Sequence, residues 1–365
     1  MKKFLFWTAL ASVALTGCVK NDVEPNPSLG QDVEITFNAP VVGKITKAPV
    51  TGEIGTTYDQ AESFIVTAWR HLKSKGDFAP ANATVYIDQK PTVYTATATG
   101  IDGDAGTGSW HFNPTYYWPK THYLTFSAYS PASLKEKATI TIDETTGIYM
   151  DDVEIEDVVT NQYDILYSDR VFDQEESDYA RTSNNNYLGV DIKFHHALSS
   201  VVVKVKMNAD YSSTNNDQIT INKIWFDKVY MNADFKENLS LGTETTSTGI
   251  WDDFKSENNN MDILGGVVGI DNTTETQYGT TALLIPQVLT GNLNVNYTIT
   301  NHDDVSIVEE KSFILNTLKD GSSNTISEWE QGKRYTYTLT FGLNEIYLAP
   351  QVDNWDDVTM SDINI

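Results

Sequence analysis

The chain has 365 residues, of which 50 are acidic and 25 basic, giving a net charge of −25 at pH 7. That surplus excludes the basic patches that nucleic acid and anionic lipid surfaces require. The single cysteine, Cys18, excludes an internal disulfide, so stability has to come from burial and backbone hydrogen bonding. At the start of the chain, Lys2 and Lys3 precede an apolar run from Phe4 to Leu15, then Leu15-Thr16-Gly17-Cys18. A positive n-region, a short apolar h-region and small residues before a cut predict a secretory signal peptide over residues 1–17. The run is too short to span a bilayer. Small residues followed by cysteine are what a lipoprotein signal peptidase requires. The thiol takes a diacylglycerol, the peptide is cut before it, and the new amine is acylated, as with palmitate. Cys18 is therefore the expected lipid attachment and the expected link to the outer membrane, since several acyl chains anchor stably. Losing residues 1–17 would move the net charge from −25 to −27, because Lys2 and Lys3 go with them. Residues 18–30 are polar, contain Pro25, Pro27 and Gly30, and read as a flexible tether.

Strand patterns dominate after the tether. Val33, Ile35 and Phe37 alternate with polar residues, and Val201, Val203, Val205 and Met207 share a face while Lys204 and Lys206 point away. The same period recurs in Leu293, Val295, Tyr297 and Ile299, and in Tyr335, Tyr337, Leu339 and Phe341. Side chains of a strand alternate between its two faces, so each run is apolar on one side. Turn residues punctuate the runs at 100–108, Asn184–Asn186, Asn258–Asn260 and Asp320–Asn324. The expected class is all-β, built of antiparallel sandwiches. An Asn-rich stretch in Arg181–Gly189 marks a domain boundary, giving expected units 31–185 and 186–365, in keeping with a prior of about 150 residues per domain.

Six stretches in order resemble the fimbrillin family, the lipoprotein pilins of Gram-negative anaerobes. They are Trp110-His-Phe-Asn-Pro-Thr-Tyr-Tyr-Trp-Pro119, Leu124-Thr-Phe-Ser-Ala-Tyr-Ser-Pro131 and Ile192-Lys-Phe-His-His-Ala-Leu198, then Leu283-Leu-Ile-Pro-Gln287, Trp329-Glu-Gln-Gly-Lys-Arg-Tyr-Thr-Tyr337 and Val352-Asp-Asn-Trp355. The resemblance implies two tandem transthyretin-like β-sandwich domains on the outer-membrane surface. It also implies a fimbrial subunit or adhesin assembled by strand addition, with other fimbrial subunits as partners and a host protein or glycan as a further one. In such pilins a protease removes the first strand and a neighbour's C-terminal strand fills the groove. Here the displaced strand would be Val33, Ile35 and Phe37, and the cut would fall at Lys47-Ala48. Arginine, the family's usual residue at the cut, first occurs at Arg70, so an uncut anchor or tip cap is an alternative role. The donor would be Ile346, Leu348 and Val352, with Pro350 interrupting a long ladder.

On the residues alone, Tyr116, Tyr117, Trp118, Trp329 and Trp355 are expected anchors inside the body. His195 and His196 fall on opposite faces of a strand, which predicts that one packs inward. Neither has the ligand spacing of a metal site. Asp102-Gly-Asp104 begins like a calcium loop but lacks the later ligands. There is no nucleophile elbow, no zinc-protease helix motif and no phosphate-cradling glycine loop, so no enzyme, cofactor or metal is expected. The chief rival is a surface glycan-binding lipoprotein, for which the eight tryptophans would supply exposed stacking rings.

Overall fold

The computed structural model describes residues 33–37, 41–42, 62–95, 109–179, 189–208, 218–239, 248–255, 259–263, 265–270, 273–301, 303–342 and 346–355. Cys18, Lys47, Ala48 and Asp102–Asp104 lie outside them. Strand follows strand, interrupted by short 3-10 turns and the single-turn helix Glu176–Tyr179.

The largest sheet has nine strands. Its order is Thr36–Phe37, Ser109–Phe112, Thr84–Thr95, Ile65–Leu72, His122–Ser130, Leu166–Ser168, Lys193–His196 and Val41–Val42, with Val171–Gln174 beside His122–Ser130. A second sheet runs Thr276–Leu284, Ser199–Met207, Lys333–Phe341, Ile346–Asn354. A third runs Asn259–Ile263, Gln218–Val229, Asn292–Thr300, Ser306–Ile314. A fourth joins the hairpin Thr139–Asp143 and Gly147–Glu154 to Asn232–Asn238 and Thr248–Lys255. Pairing is mostly antiparallel. Two exceptions are Ser199–Met207 alongside Lys333–Phe341, and Val41–Val42 alongside Lys193 and Phe194, both parallel.

Period-2 patterning explains these placements. Val201, Val203, Val205 and Met207 are buried, while Lys204 and Lys206 turn out to meet Glu275 at 3.5 and 3.0 Å. Both faces of His122–Ser130 are covered from Leu124 onward, which fits its central place in the large sheet. Buried apolar residues from Ile35 to Trp355 form a single cluster. Strands from either side of residue 185 share sheets, since Phe194 pairs with Ser168 and Ala233 with Val153. Asp320 closes its turn by accepting the amides of Ser322 and Asn324. Of the Asn258–Asn260 stretch, read above as a turn, Asn259 and Asn260 open a strand instead. Pairing with Gln218–Val229 overrides their turn preference there, as tertiary contacts do in sheets.

Tryptophan burial bears on the glycan platform. Trp69, Trp110, Trp118, Trp251, Trp329 and Trp355 are all buried; Trp225 is half-buried beneath Lys223. The described residues therefore offer no set of coplanar exposed indoles.

Candidate functional site: the seat of the N-terminal strand

Val33, Ile35 and Phe37 fall on one strand-like segment, as the alternation predicts. Ile35 and Phe37 are fully buried, Val33 packs at the margin of the core, and Glu34 and Thr36 are half-exposed. The Ile35 amide donates to the Tyr116 carbonyl at 2.9 Å, and the Trp118 amide donates to the Val33 carbonyl at 2.9 Å. Thr36 and Phe37 then pair antiparallel with His111 and Trp110. On the other side the Val190 amide donates to the Thr36 carbonyl at 2.8 Å. Glu34 Oε1 lies 3.0 Å from His111 Nδ1.

Phe37 fills a pocket to which the first two quoted stretches contribute Phe112 and Phe126, while Phe64 lies in none of the six. Phe64, Phe112 and Phe126 meet its ring edge-on, at centroid distances of 5.7, 5.4 and 5.7 Å. This is the favoured arrangement for aromatic quadrupoles. The three rings come from three separate stretches of chain, so no local period marks them. Gly189 makes the close approach possible. Its φ is +138°, and a Cβ there would sit 2.3 Å from the Thr36 carbonyl oxygen. The only sequence sign of this is a glycine ahead of the Val190 strand.

Val41 and Val42 pair with Lys193 and Phe194. Thr36–Phe37 and Val41–Val42 are thus the two end strands of the nine-stranded sheet. Four residues separate Phe37 from Val42 along the chain, yet the two lie at opposite ends of the strand order.

The strand Lys193–His196 holds the two histidines, and here the expectation of one inward ring needs correction. Both are buried. His195 Nε2 meets Asp169 Oδ1 at 2.8 Å, and His196 Nδ1 meets Asp164 Oδ2 at 2.5 Å. The His196 ring also stacks on Trp355 at 3.7 Å. The strand has further chain on both faces, so alternation does not leave either ring in water. No group of three metal-ligating side chains occurs among the described residues.

Ile346, Leu348 and Val352 lie on the inward face of Ile346–Asn354, the end strand of the second sheet. Ile346 is buried; Leu348 and Val352 pack at the core margin. The ladder to Lys333–Phe341 continues through Pro350, which stands opposite Tyr337. An end strand tolerates proline because one side of it needs no donor.

A model of the fimbrillin-like family matches residues 46–355. The chain belongs to the fimbrillin-like family. Among solved structures, a fimbrial protein from Bacteroides vulgatus ATCC 8482 is similar at 17% identity and TM-score 0.55, covering 88% of this chain and 99% of that one. A candidate cell-adhesion protein from Bacteroides uniformis ATCC 8492 is similar at 11% identity and TM-score 0.50, covering 90% of this chain and 100% of that one. At these identities the likeness is one of fold. No curated protein matches.

The fimbrillin-like motifs have structural work in this chain. Gln287, after Pro286, bonds the Tyr230 amide and carbonyl at 2.8 and 3.1 Å and so replaces a strand partner. Trp329 Nε1 donates to the Tyr337 hydroxyl at 3.0 Å, and the Glu330 amide donates to the Tyr335 hydroxyl at 2.8 Å. Burial pushes both tyrosines well above the ordinary phenol value. Gly332 then donates to the Leu198 carbonyl and accepts from the Trp355 amide. The last two motifs therefore meet the His-Ala-Leu stretch at one place.

Proposed function

We propose that the chain is a fimbrial subunit or adhesin of the cell surface, exported as a lipoprotein through Cys18 and assembled by exchange of its N-terminal strand. One observation carries the reading. Thr36–Phe37 and Val41–Val42 end the large sheet on its two sides, and Phe37 plugs a buried aromatic pocket, yet both strands join the body through short ladders. Membership of the fimbrillin-like family supports the fimbrial role, as does the similarity to the B. vulgatus fimbrial protein.

On this reading, cleavage at Lys47-Ala48 releases Val33, Ile35 and Phe37. The vacated edge and pocket then receive a strand from another fimbrial subunit, because an unpaired ladder beside an apolar groove is a template for a second chain. Ile346, Leu348 and Val352 are the donor residues of the proposal. To donate them, the subunit gives up the ladder to Lys333–Phe341. The proposed organisation is two tandem transthyretin-like β-sandwich units, 31–185 and 186–365, with Lys193–His196 pairing back into the first and Gly147–Glu154 pairing across to Asn232–Asn238. The proposed place is the outer-membrane surface and the fimbrium, with a host protein or glycan as the adhesive target.

A lysine-specific protease tests the exchange. It should cut selectively at Lys47, and the trimmed protein should polymerise. Deleting residues from Asn344 onward should abolish the polymers. Trimmed protein that stays monomeric with its C-terminus intact would refute the stalk role and favour the uncut anchor or cap. Separately, Cys18→Ala should leave a longer precursor that takes up no labelled palmitate.

A further inference from the structure

Ser306–Ile314 ends the third sheet and is unusual among the described strands. Asn292–Thr300 pairs with it along its whole length on one side. Eight of its nine side chains are exposed, on both faces; only Phe313 packs against the core. Ile307, Val308 and Ile314 are 56, 64 and 55% exposed. A long edge with an unbroken register and uncovered apolar residues is a site for adding another strand.

The order of residues says which strand. Ile307, Glu309, Lys311 and Phe313 share a face, since they stand opposite Ile299, Tyr297, Val295 and Leu293. Read backwards, that face is aromatic, basic, acidic, aliphatic. An antiparallel second copy, related by a two-fold axis through Glu310, therefore sets Ile307 against Phe313 twice and Glu309 against Lys311 twice. Two-fold symmetry about an axis normal to a sheet requires such same-face pairing, and this register satisfies it. We propose that Ser306–Ile314 is a homotypic docking edge, joining the third sheets of two copies into one continuous sheet. The occupant is a second copy of this chain, chosen by the two crossed Glu–Lys pairs.

Glu310 meets its own equivalent on the axis, a like-charge contact on the other face. With the net charge of −25, that contact keeps the association weak. One strand edge is also a small interface compared with those of stable complexes. The proposal does not depend on strand exchange, because this edge belongs to a different sheet from the N-terminal seat.

Sedimentation velocity over a concentration series tests it on the full chain carrying Cys18→Ala, which has no lipid acceptor and no other thiol. The parent should show a monomer–dimer equilibrium. Lys311→Glu turns both attractive pairs into repulsive ones and should weaken it about tenfold or more. Glu309→Lys with Lys311→Glu should restore it to within about threefold of the parent, since opposite-charge pairs are re-formed. In the same background, Glu310→Cys should form an oxidised dimer. Ser306→Cys should do so only when mixed with Ile314→Cys, as the register requires. A parent that stays monomeric at every soluble concentration overturns the proposal. So does a double swap no better than the single one, the result expected if these charges merely guard the edge. Unchanged melting of each variant rules out unfolding as the cause.

Discussion

Replacing Phe37 by alanine should loosen the N-terminal segment and leave the rest of the protein folded. Phe37 is fully buried, and three rings meet it at 5.4–5.7 Å. Removing such a side chain costs about 3–5 kcal/mol, the edge-on ring contacts included. What remains to hold the segment is its hydrogen bonds, each contributing about 0.5–1.5 kcal/mol net, and the seating of Ile35. Opening of this segment is a local event, distinct from global unfolding at about 5–15 kcal/mol. A loss of 3 kcal/mol raises the open fraction by about two powers of ten. Native-state amide exchange should therefore show protection of Ile35, Trp118 and Val190 falling by about a hundredfold or more, because their amides bond across the segment's edges. Amides of Ser199–Met207, in another sheet, should keep theirs. Protection unchanged at Ile35 and Val190 would show that the aromatic pocket does not hold the strand. A parallel loss in Ser199–Met207 would show that the segment is part of the global core and not separately removable.

Gly189→Ala should reproduce the Phe37→Ala exchange pattern, because the added Cβ would press on the Thr36 carbonyl and the left-handed φ disfavours any side chain. Trp329→Ala should lower stability by about 3–5 kcal/mol, whereas Trp329→Phe should cost about 1–3 kcal/mol by leaving the buried Tyr337 hydroxyl without its donor; urea midpoints measure both. The Asp234 carboxyl is raised by burial but lowered more by bonds from the Tyr149 hydroxyl, the Asp152 amide and Lys255, for a net fall below its ordinary value. A depressed carboxyl contributes stability above its unfolded value and loses it as pH falls through the folded one. Urea midpoints should therefore drop below about pH 4, and Asp234→Asn should flatten part of that drop. The same contact raises the Tyr149 hydroxyl to about 12, so Tyr149→Phe should also shift the acid-sensitive part of the curve.

Much of the fold was legible because one physical signal, alternation, suffices for half-buried strands. Lys333–Phe341 and Ser199–Met207 bury the residues that the period picks out, and Asn292–Thr300 does so at Leu293 and Val295, with Tyr297 and Ile299 half-buried. The seat was only partly legible. Ile35 and Phe37 announce themselves by spacing, but Phe64, Phe112 and Phe126 are far apart in sequence and meet only through pairing. The parallel contact of Val41–Val42 with Lys193–Phe194 is likewise a matter of topology, and a two-residue strand carries no period. Histidines at adjacent positions predict one buried ring, and the second is buried only because Asp169 and Tyr167 approach the other face. Ser306–Ile314 hides its edge position for a related reason. Its composition is that of an ordinary strand, and its exposure comes from ending its sheet.

The same topology bears on how release of the N-terminal strand would act at a distance. Thr36–Phe37 and Val41–Val42 end the large sheet at its two sides, so their loss bares Ser109–Phe112 and Lys193–His196 together. The second of these strands carries His196, which is held by Asp164 and stacked on Trp355. Trp355 in turn closes the C-terminal strand, its amide bonded to the Gly332 carbonyl. Both segments that the proposed exchange would move therefore press on one four-residue strand, one through its backbone and the other through a ring. Loosening that strand on its Val41–Val42 side removes support from the surface on which Trp355 rests. If exchange is the mechanism, Trp355→Ala should free the C-terminal strand without any cut, seen as lost amide protection along Ile346–Asn354. If protection there stays at the parent level, the two ends are independent, and the stack serves only to pack the core.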